Sequence, residues 1–227
     1  MSVRSILGRT LRVAAIVGLA LAVLFATLVA LYAFTPPVST LMIARQIEGK
    51  GYARDYVSLK DVAPVLVASV IASEDARFCR NDGVDWGELR AVLRHPGKNG
   101  PSRGASTITM QTAKNLFLWP GRSTIRKGIE IAMALVLDKV WSKARTIEIY
   151  LNIAEWGDDI FGIEAAAQHY FHKSARDLSP REAALLTAAL PNPIKRDPAR
   201  PSAFQRLRAA SIAARAQGGE WVECLPQ

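Results

Sequence analysis

Hydrophobic and polar positions are distributed unevenly along the chain. From Val13 to Phe34 the sequence VAAIVGLALAVLFATLVALYAF runs for 22 residues without a charge. At about 1.5 Å per residue this block is roughly 33 Å long as a helix, enough to cross a bilayer core. Pro36 and Pro37 then break the helix, and residues 35–60 read as a connecting segment. Beyond it, helical patterns dominate. Pro64 to Ser73 is the first. Asp85 and Glu88 form a D-x-x-E capping box that opens a helix through about His95. Ser123 caps a long apolar run from Thr124 to about Trp141, and residues 144–153 keep helical periodicity. Ile163 to Phe171 follows a glycine-bearing loop. Ser-Pro-Arg-Glu at 179–182 combines an N-cap, a proline at the first helical position and a capping-box glutamate, and its helix runs to about Leu190 before Pro-Asn-Pro. No segment has convincing strand periodicity and none repeats at a fixed interval. The pattern predicts a mostly α domain over residues 61–227. Its one long irregular stretch is residues 95–107, rich in Gly, Pro and Ser and net basic; loops of that length are functional or disordered.

Charge gives the apolar block a direction. Arg4, Arg9 and Arg12 precede it and no acid appears before Glu48. Positive-inside bias makes residues 1–12 a cytoplasmic tail, residues 13–34 a transmembrane helix, and places the rest outside the cytoplasm. A cleaved signal peptide is the alternative, but the run exceeds the usual signal core and has no clean small-x-small site at its end. The formal charge is +9, or +6 without the three N-terminal arginines. Such a balance suits anionic lipid headgroups or a phosphate-bearing substrate. Nucleic acid is excluded as a partner by the extracytoplasmic address and the lack of any zinc, RNA-binding or basic-zipper signature. The two cysteines, Cys79 and Cys224, could pair in an oxidising compartment; two free buried thiols are the alternative.

Several chemistries find no support. With three histidines, two of them flanking Tyr170-Phe171, neither a Ser/His/Asp triad nor a His/Cys metal cluster is indicated. Phosphate-binding glycine loops and the S-x-x-K and K-T-G signatures are missing. Carboxylates and cations remain. Glu74 and Asp75 stand where an apolar helix runs out, although the dipole disfavours acids at a C-terminus. They must be solvated, paired, or kept for chemistry. Glu130 lies in a helix that is apolar nearly all round, with Arg126 and Lys127 four and three residues earlier on the same face. An ordinary exposed i,i+4 pair is the plainer explanation there. Lys98, Arg103, Lys114, Arg126, Lys127 and Lys143 surround the two acids in sequence. A glycoside hydrolase must protonate a poor leaving group. Transfer from a sugar pyrophosphate instead needs a base for the acceptor hydroxyl and cations for the pyrophosphate. The cations favour transfer.

Five ordered segments carry a resemblance: EDARFCRNDGVD, GASTITMQTAKN, RKGIE, WSKARTIEIYLNIAEWGDDIFGIEAAAQHYF and LSPREAALLTAALPNP. Over roughly residues 36–200 they resemble the motifs of the family 51 peptidoglycan glycosyltransferases, and the chain, with no transpeptidase signature, resembles the monofunctional branch. The resemblance implies a lysozyme-like α fold on an N-terminal anchor at the inner membrane, with the domain periplasmic. The implied reaction joins lipid II to a growing lipid-linked glycan through β-1,4 bonds and releases undecaprenyl pyrophosphate. Glu74 would be the general base, and Glu130 would organise the pyrophosphate site, with room for a divalent cation, magnesium or manganese. Thr107, Gln111, Lys114, Arg126 and Lys127 fall on positions that contact donor sugar or phosphates. Asp75, Phe78, Gly104 and Lys143 complete the candidate substrate-binding set, with Ser106, Asn115, Glu148 and Asn152 at positions of largely structural role. Moenomycin is expected to occupy the donor site.

Two positions depart from the family pattern. Asn81 stands where a histidine is common and cannot titrate, and Met110 replaces the first of a Gln-Gln pair. Neither removes a carboxylate or a cation. A lytic, lysozyme-like enzyme and a non-catalytic scaffold of the divisome or elongasome are the competing readings, and intact Glu74 and Glu130 speak against the scaffold. Three further expectations concern mobility and contact. Residues 95–107 should act as a lid, Asn115 to Trp119 should meet either the core or the membrane phospholipid, and divisome or elongasome proteins are candidate partners.

Overall fold

The computed structural model describes residues 3–94, 106–121, 123–218 and 222–225. It divides into two compact units, Met1–Pro36 and Pro37–Gln227. The first is the helix α1, Val3–Tyr32, in which Gly8–Tyr32 is long and apolar enough to cross a membrane. Its only mid-span hydroxyl among the described residues is internally satisfied: Thr27 donates to the Val23 carbonyl, 2.9 Å away. Such back-bonding is how a polar side chain is tolerated where water is absent.

The second unit begins before the expected domain start. Within residues 35–60 lies a helix, α2 (Thr40–Ile47), capped by Ser39. The Thr40 hydroxyl reaches the carbonyls of Asn115 and Leu118, at 3.1 and 2.7 Å. Those are carbonyls left over at the end of α5 (Ile108–Phe117), so α2 closes that helix.

The remaining elements follow the cap signals. α3 (Pro64–Glu74) starts on proline and is buried almost all round, with Leu66, Val70 and Ile71 fully enclosed. α4 (Trp86–Arg94) opens on Asp85, whose Oδ1 accepts from the Gly87 and Glu88 N–H groups at 3.0 Å. α6 (Thr124–Val140) and α7 (Lys143–Ile153) are capped by Ser123 and Ser142. α8 (Ile163–Phe171) and α9 (Pro180–Ala189) complete the central set, and the Ser179–Glu182 capping box is formed in both directions. The core joins α3 to Phe78, Ile108, Ile147, Tyr150, Trp156, Ile163, Ala166 and Leu186. α5 packs against both α6 and α7, and α3 packs against α9.

The sequence pattern predicts no helix at α2 or α5, and it does not anticipate two further features. A short antiparallel hairpin, β1 (Glu155–Gly157) with β2 (Ile160–Phe161), turns at Asp159 with φ +56°. α10 (Ala203–Ala216) follows the Pro-Asn-Pro break and buries Ala209 and Ile212 against Ala184, Leu185 and Ala188 of α9. Near the C-terminus Cys79 and Cys224 are disulfide-bonded, with Cα atoms 5.4 Å apart.

Candidate active site

The adjacent acids at the end of α3 have different surroundings. Asp75 has left the helix, with φ −156°, and is 6% exposed. One of its oxygens accepts from the Ile108 N–H at the start of α5 (3.0 Å), the other from the Asn81 amide (2.9 Å). Burial nevertheless pushes its carboxyl up to about 6, against the pull of the Ile108 and Asn81 hydrogen bonds and the Lys143 charge. Glu74 closes the helix half-buried; its Oε1 accepts from the Ser73 hydroxyl at 3.0 Å, and no cation pairs with it among the described residues. Asp75 is tied to the frame and Glu74 is not. A carboxylate left in that state can accept a proton.

The loop after this pair is anchored from below. Lys143 donates to the Asn81 carbonyl (2.8 Å), pairs with Asp138 (2.7 Å) and lies 4.9 Å above the fully buried Phe78 ring. The Asn81 Oδ1 accepts from Gly83 N–H at 3.1 Å. Asn81, at the position where histidine is common, thus uses both ends of its amide and needs no titration. Gly83 has φ +91°, and a Cβ there would stand 2.7 Å from the Ala134 carbonyl, so only glycine lets the loop lie against α6. Thr107 donates to the Gly83 carbonyl (2.6 Å) and accepts from Met110 N–H (3.1 Å). Its hydroxyl is committed to capping α5, and Met110 is fully buried core.

The cations gather on α5 and α6. Glu130, 2% exposed, is paired by Arg126 at 3.1 Å and by Lys127. An exposed i,i+4 pair is not what the structure shows. Lys127 also donates to the Ser106 hydroxyl, 2.6 Å away. The Lys114 ammonium makes no hydrogen bond or ion pair among the described residues, and burial lowers its pKa while the Glu130 charge opposes that shift. The Arg126 Nε is buried without an acceptor among the described residues. Three cations against one carboxylate leave an excess of positive charge with unused donors, the composition that receives a phosphate. The same arithmetic disfavours a divalent cation at Glu130, whose carboxylate is already shared by two cations. Among the described residues no group of three His, Cys, Asp or Glu is placed to hold a metal.

Glu148 and Asn152, one turn apart on α7, pin the chain before α3. Glu148 accepts from Leu59 N–H (2.8 Å) and the Tyr56 hydroxyl (2.9 Å) and pairs with Arg145. Burial, then the hydrogen bond to Glu148, pushes Tyr56 up to about 12. The Asn152 amide meets both the N–H and the carbonyl of Val57, at 2.9 and 2.8 Å, as a neighbouring strand would. Asn115 is half-buried on α5, and its carbonyl holds α2. Gly104, Lys98, Arg103 and most of the 95–107 segment lie outside the described residues. Sequence reasoning missed Tyr150, which is 2% exposed on α7 and donates to Gln111 Oε1 at 3.0 Å. A tyrosine inside an apolar helix reads as core, and only the buried hydroxyl's need for a partner could have drawn attention to it.

The chain is 52% identical over 211 residues to the biosynthetic peptidoglycan transglycosylase of Brucella suis biovar 1 (strain 1330), across 92% of this chain and 94% of that one. A relative of the same name from Agrobacterium fabrum (strain C58) is 52% identical over 211 residues, 91% of this chain and 93% of its own. Another, from Rhodospirillum centenum (strain ATCC 51521 / SW), is 50% identical over 210 residues, 92% and 91%. The family model described as Transglycosylase matches residues 41–217, which takes in α2, both acids, the cations and α10. With the match covering most of the chain around these groups, the chain belongs to the transglycosylase family.

Proposed function

We propose that the protein is a peptidoglycan glycosyltransferase that polymerises lipid II into β-1,4-linked glycan. The observation that carries this reading is the division of labour between its acids: Glu130 enclosed by Arg126, Lys127 and nearby Lys114, and Glu74 paired with no cation among the described residues. Glu74 takes the proton from the 4-hydroxyl of the GlcNAc on an incoming lipid II. The freed oxygen attacks C1 of the MurNAc at the reducing end of the lipid-linked chain. That displacement inverts the α-pyrophosphate linkage to a β-1,4 bond, and undecaprenyl pyrophosphate departs with its charge against Lys114, Arg126 and Lys127. A positioned base contributes roughly 10² to 10⁴ in rate, and preorganised cations act on charge that builds on the leaving group. Glu130 keeps the cations from repelling one another. No step passes through a metal.

The helix α1 serves in this reading as an anchor in the inner membrane, with the N-terminus cytoplasmic and the domain periplasmic. Arg4, Arg9 and Arg12 support that orientation. Of the Asn115–Trp119 stretch, Leu116 and Leu118 are buried and Trp119 is 58% exposed. Trp119, with Ile125, Val136 and Val140 exposed on and before α6, supports contact with membrane phospholipid. A lytic enzyme would shorten glycan, and the biosynthetic names of the relatives speak for polymerisation. The test is the purified full chain with labelled lipid II, with and without moenomycin. Polymer that disappears with the inhibitor is the expected product. Shortened preformed glycan with no polymer would replace this function with lysis.

A further inference from the structure

Tyr150 has no part in the reaction as described above, yet it occupies a junction. Its ring is packed in the core and its hydroxyl donates to Gln111 Oε1 at 3.0 Å. The other end of the Gln111 amide donates to the Ser106 carbonyl at 3.3 Å. A carbonyl can only accept, so the amide nitrogen must face Ser106 and the amide oxygen must face Tyr150. The phenol is therefore required to be the donor. It is held to that role, because burial, and after it the charges of Glu74 and Asp75, raise its pKa well above the ordinary value. From Ser106 the connection continues: its hydroxyl accepts from Lys127 (2.6 Å), Lys127 pairs with Glu130, and Arg126 joins at 3.1 Å. One chain of hydrogen bonds runs from a phenol that feels Glu74 to the cation cluster.

We propose that Tyr150 is a positioning residue for glycosyl transfer, fixing the orientation of the Gln111 amide so that one N–H holds Ser106 and the other is presented to an oxygen of the lipid-linked donor. This rests on the lipid II reading given above. Without the phenol, no other described residue holds the amide oxygen, and the amide samples orientations that offer an acceptor where a donor is needed. A contact of this kind acts equally on bound substrate and transition state, so its loss shows in KM and leaves kcat in place.

The experiment measures lipid II turnover by the full chain for wild type, Tyr150→Phe, Gln111→Ala and the double variant, with thermal melting of each. The phenylalanine fills the same space and removes only the hydroxyl. Tyr150→Phe should raise KM about five- to tenfold, the scale of one lost hydrogen bond, with kcat within about twofold of wild type. In the Gln111→Ala background it should add less than about twofold, because the residue acts through Gln111. An equal rise in both backgrounds, a fall in kcat at constant KM, or wild-type kinetics overturns the proposal. Gln111→Met, which leaves Tyr150 in place, decides the matter whatever the stability of Tyr150→Phe: a raised KM supports the proposal and an unchanged KM overturns it. Failure of the wild-type chain to polymerise lipid II would be failure of the functional reading, whereas an active wild type with unaffected variants is failure of this inference alone.

Discussion

At the scale of residues, Asp75 gives both oxygens to the frame, one to Ile108 N–H and one to Asn81, while among the described residues the carboxylate of its neighbour Glu74 meets only the Ser73 hydroxyl. The folded carboxyl of Asp75 sits at about 6, above its ordinary 3.8. A raised folded pKa means the native state binds the proton more tightly than the unfolded chain. This contribution to stability is full below about pH 4 and is lost as pH rises through 6. Denaturation of wild type and Asp75→Asn between pH 4 and 7 should show the wild type losing stability relative to the variant over that window. A constant difference would contradict the assignment. Glu130 offers a second prediction. Glu130→Ala leaves Arg126 and Lys127 without their carboxylate and should cost about 3–5 kcal/mol in denaturant unfolding, as for a broken buried pair. It should also lower the Lys114 pKa further, since Glu130 opposes the effect of burial there. Both acids and the cations were legible in sequence, because charges in apolar helices are conspicuous. The Tyr150–Gln111 link was not, since hydrogen bonds between α5 and α7 depend on a packing that no local pattern records.

At the scale of elements, several helix starts were readable, while the hairpin and the helices α2, α5 and α10 were not, and the reason is range. Ser123, Asp85 and Ser179 act on N–H groups two or three residues away, so each cap is complete within its own segment. The strands β1 and β2 have three and two residues, too few for a period of two to register. The start signal of α10, Ser202-x-x-Gln205, is present and forms a full capping box, but its buried Ala209, Ile212 and Ala216 make a faint apolar stripe. Thr107, expected beside the donor, also has an element-scale role: its hydroxyl accepts from Met110 N–H and donates to the Gly83 carbonyl. Thr107→Ala should destabilise the domain by about 1–2 kcal/mol through the lost cap, and Thr107→Ser should recover most of it. Equal losses in the two variants would show that the methyl packing, not the cap, is responsible.

At the scale of the whole molecule, the second unit contains every described candidate site residue, and the Cys79–Cys224 bond closes most of it into one loop. The 145-residue separation makes that bond worth about 5 kcal/mol by the loop-entropy account, the top of the roughly 2–5 kcal/mol usual on removing a native disulfide. Reduction should lower the denaturation midpoint accordingly, while Cys79→Ser and Cys224→Ser each reproduce the reduced value. An unchanged midpoint would mean that the C-terminal tie is dispensable. The central claim, however, is that Glu74 is the base and the α5–α6 cations hold the leaving group. Lipid II turnover and moenomycin affinity of Glu74→Gln test it most directly, because the amide keeps the shape of the side chain and cannot take a proton. Turnover should fall by at least about 10² with moenomycin affinity near that of wild type. A variant that keeps more than about a tenth of wild-type turnover would show that no positioned base operates at Glu74.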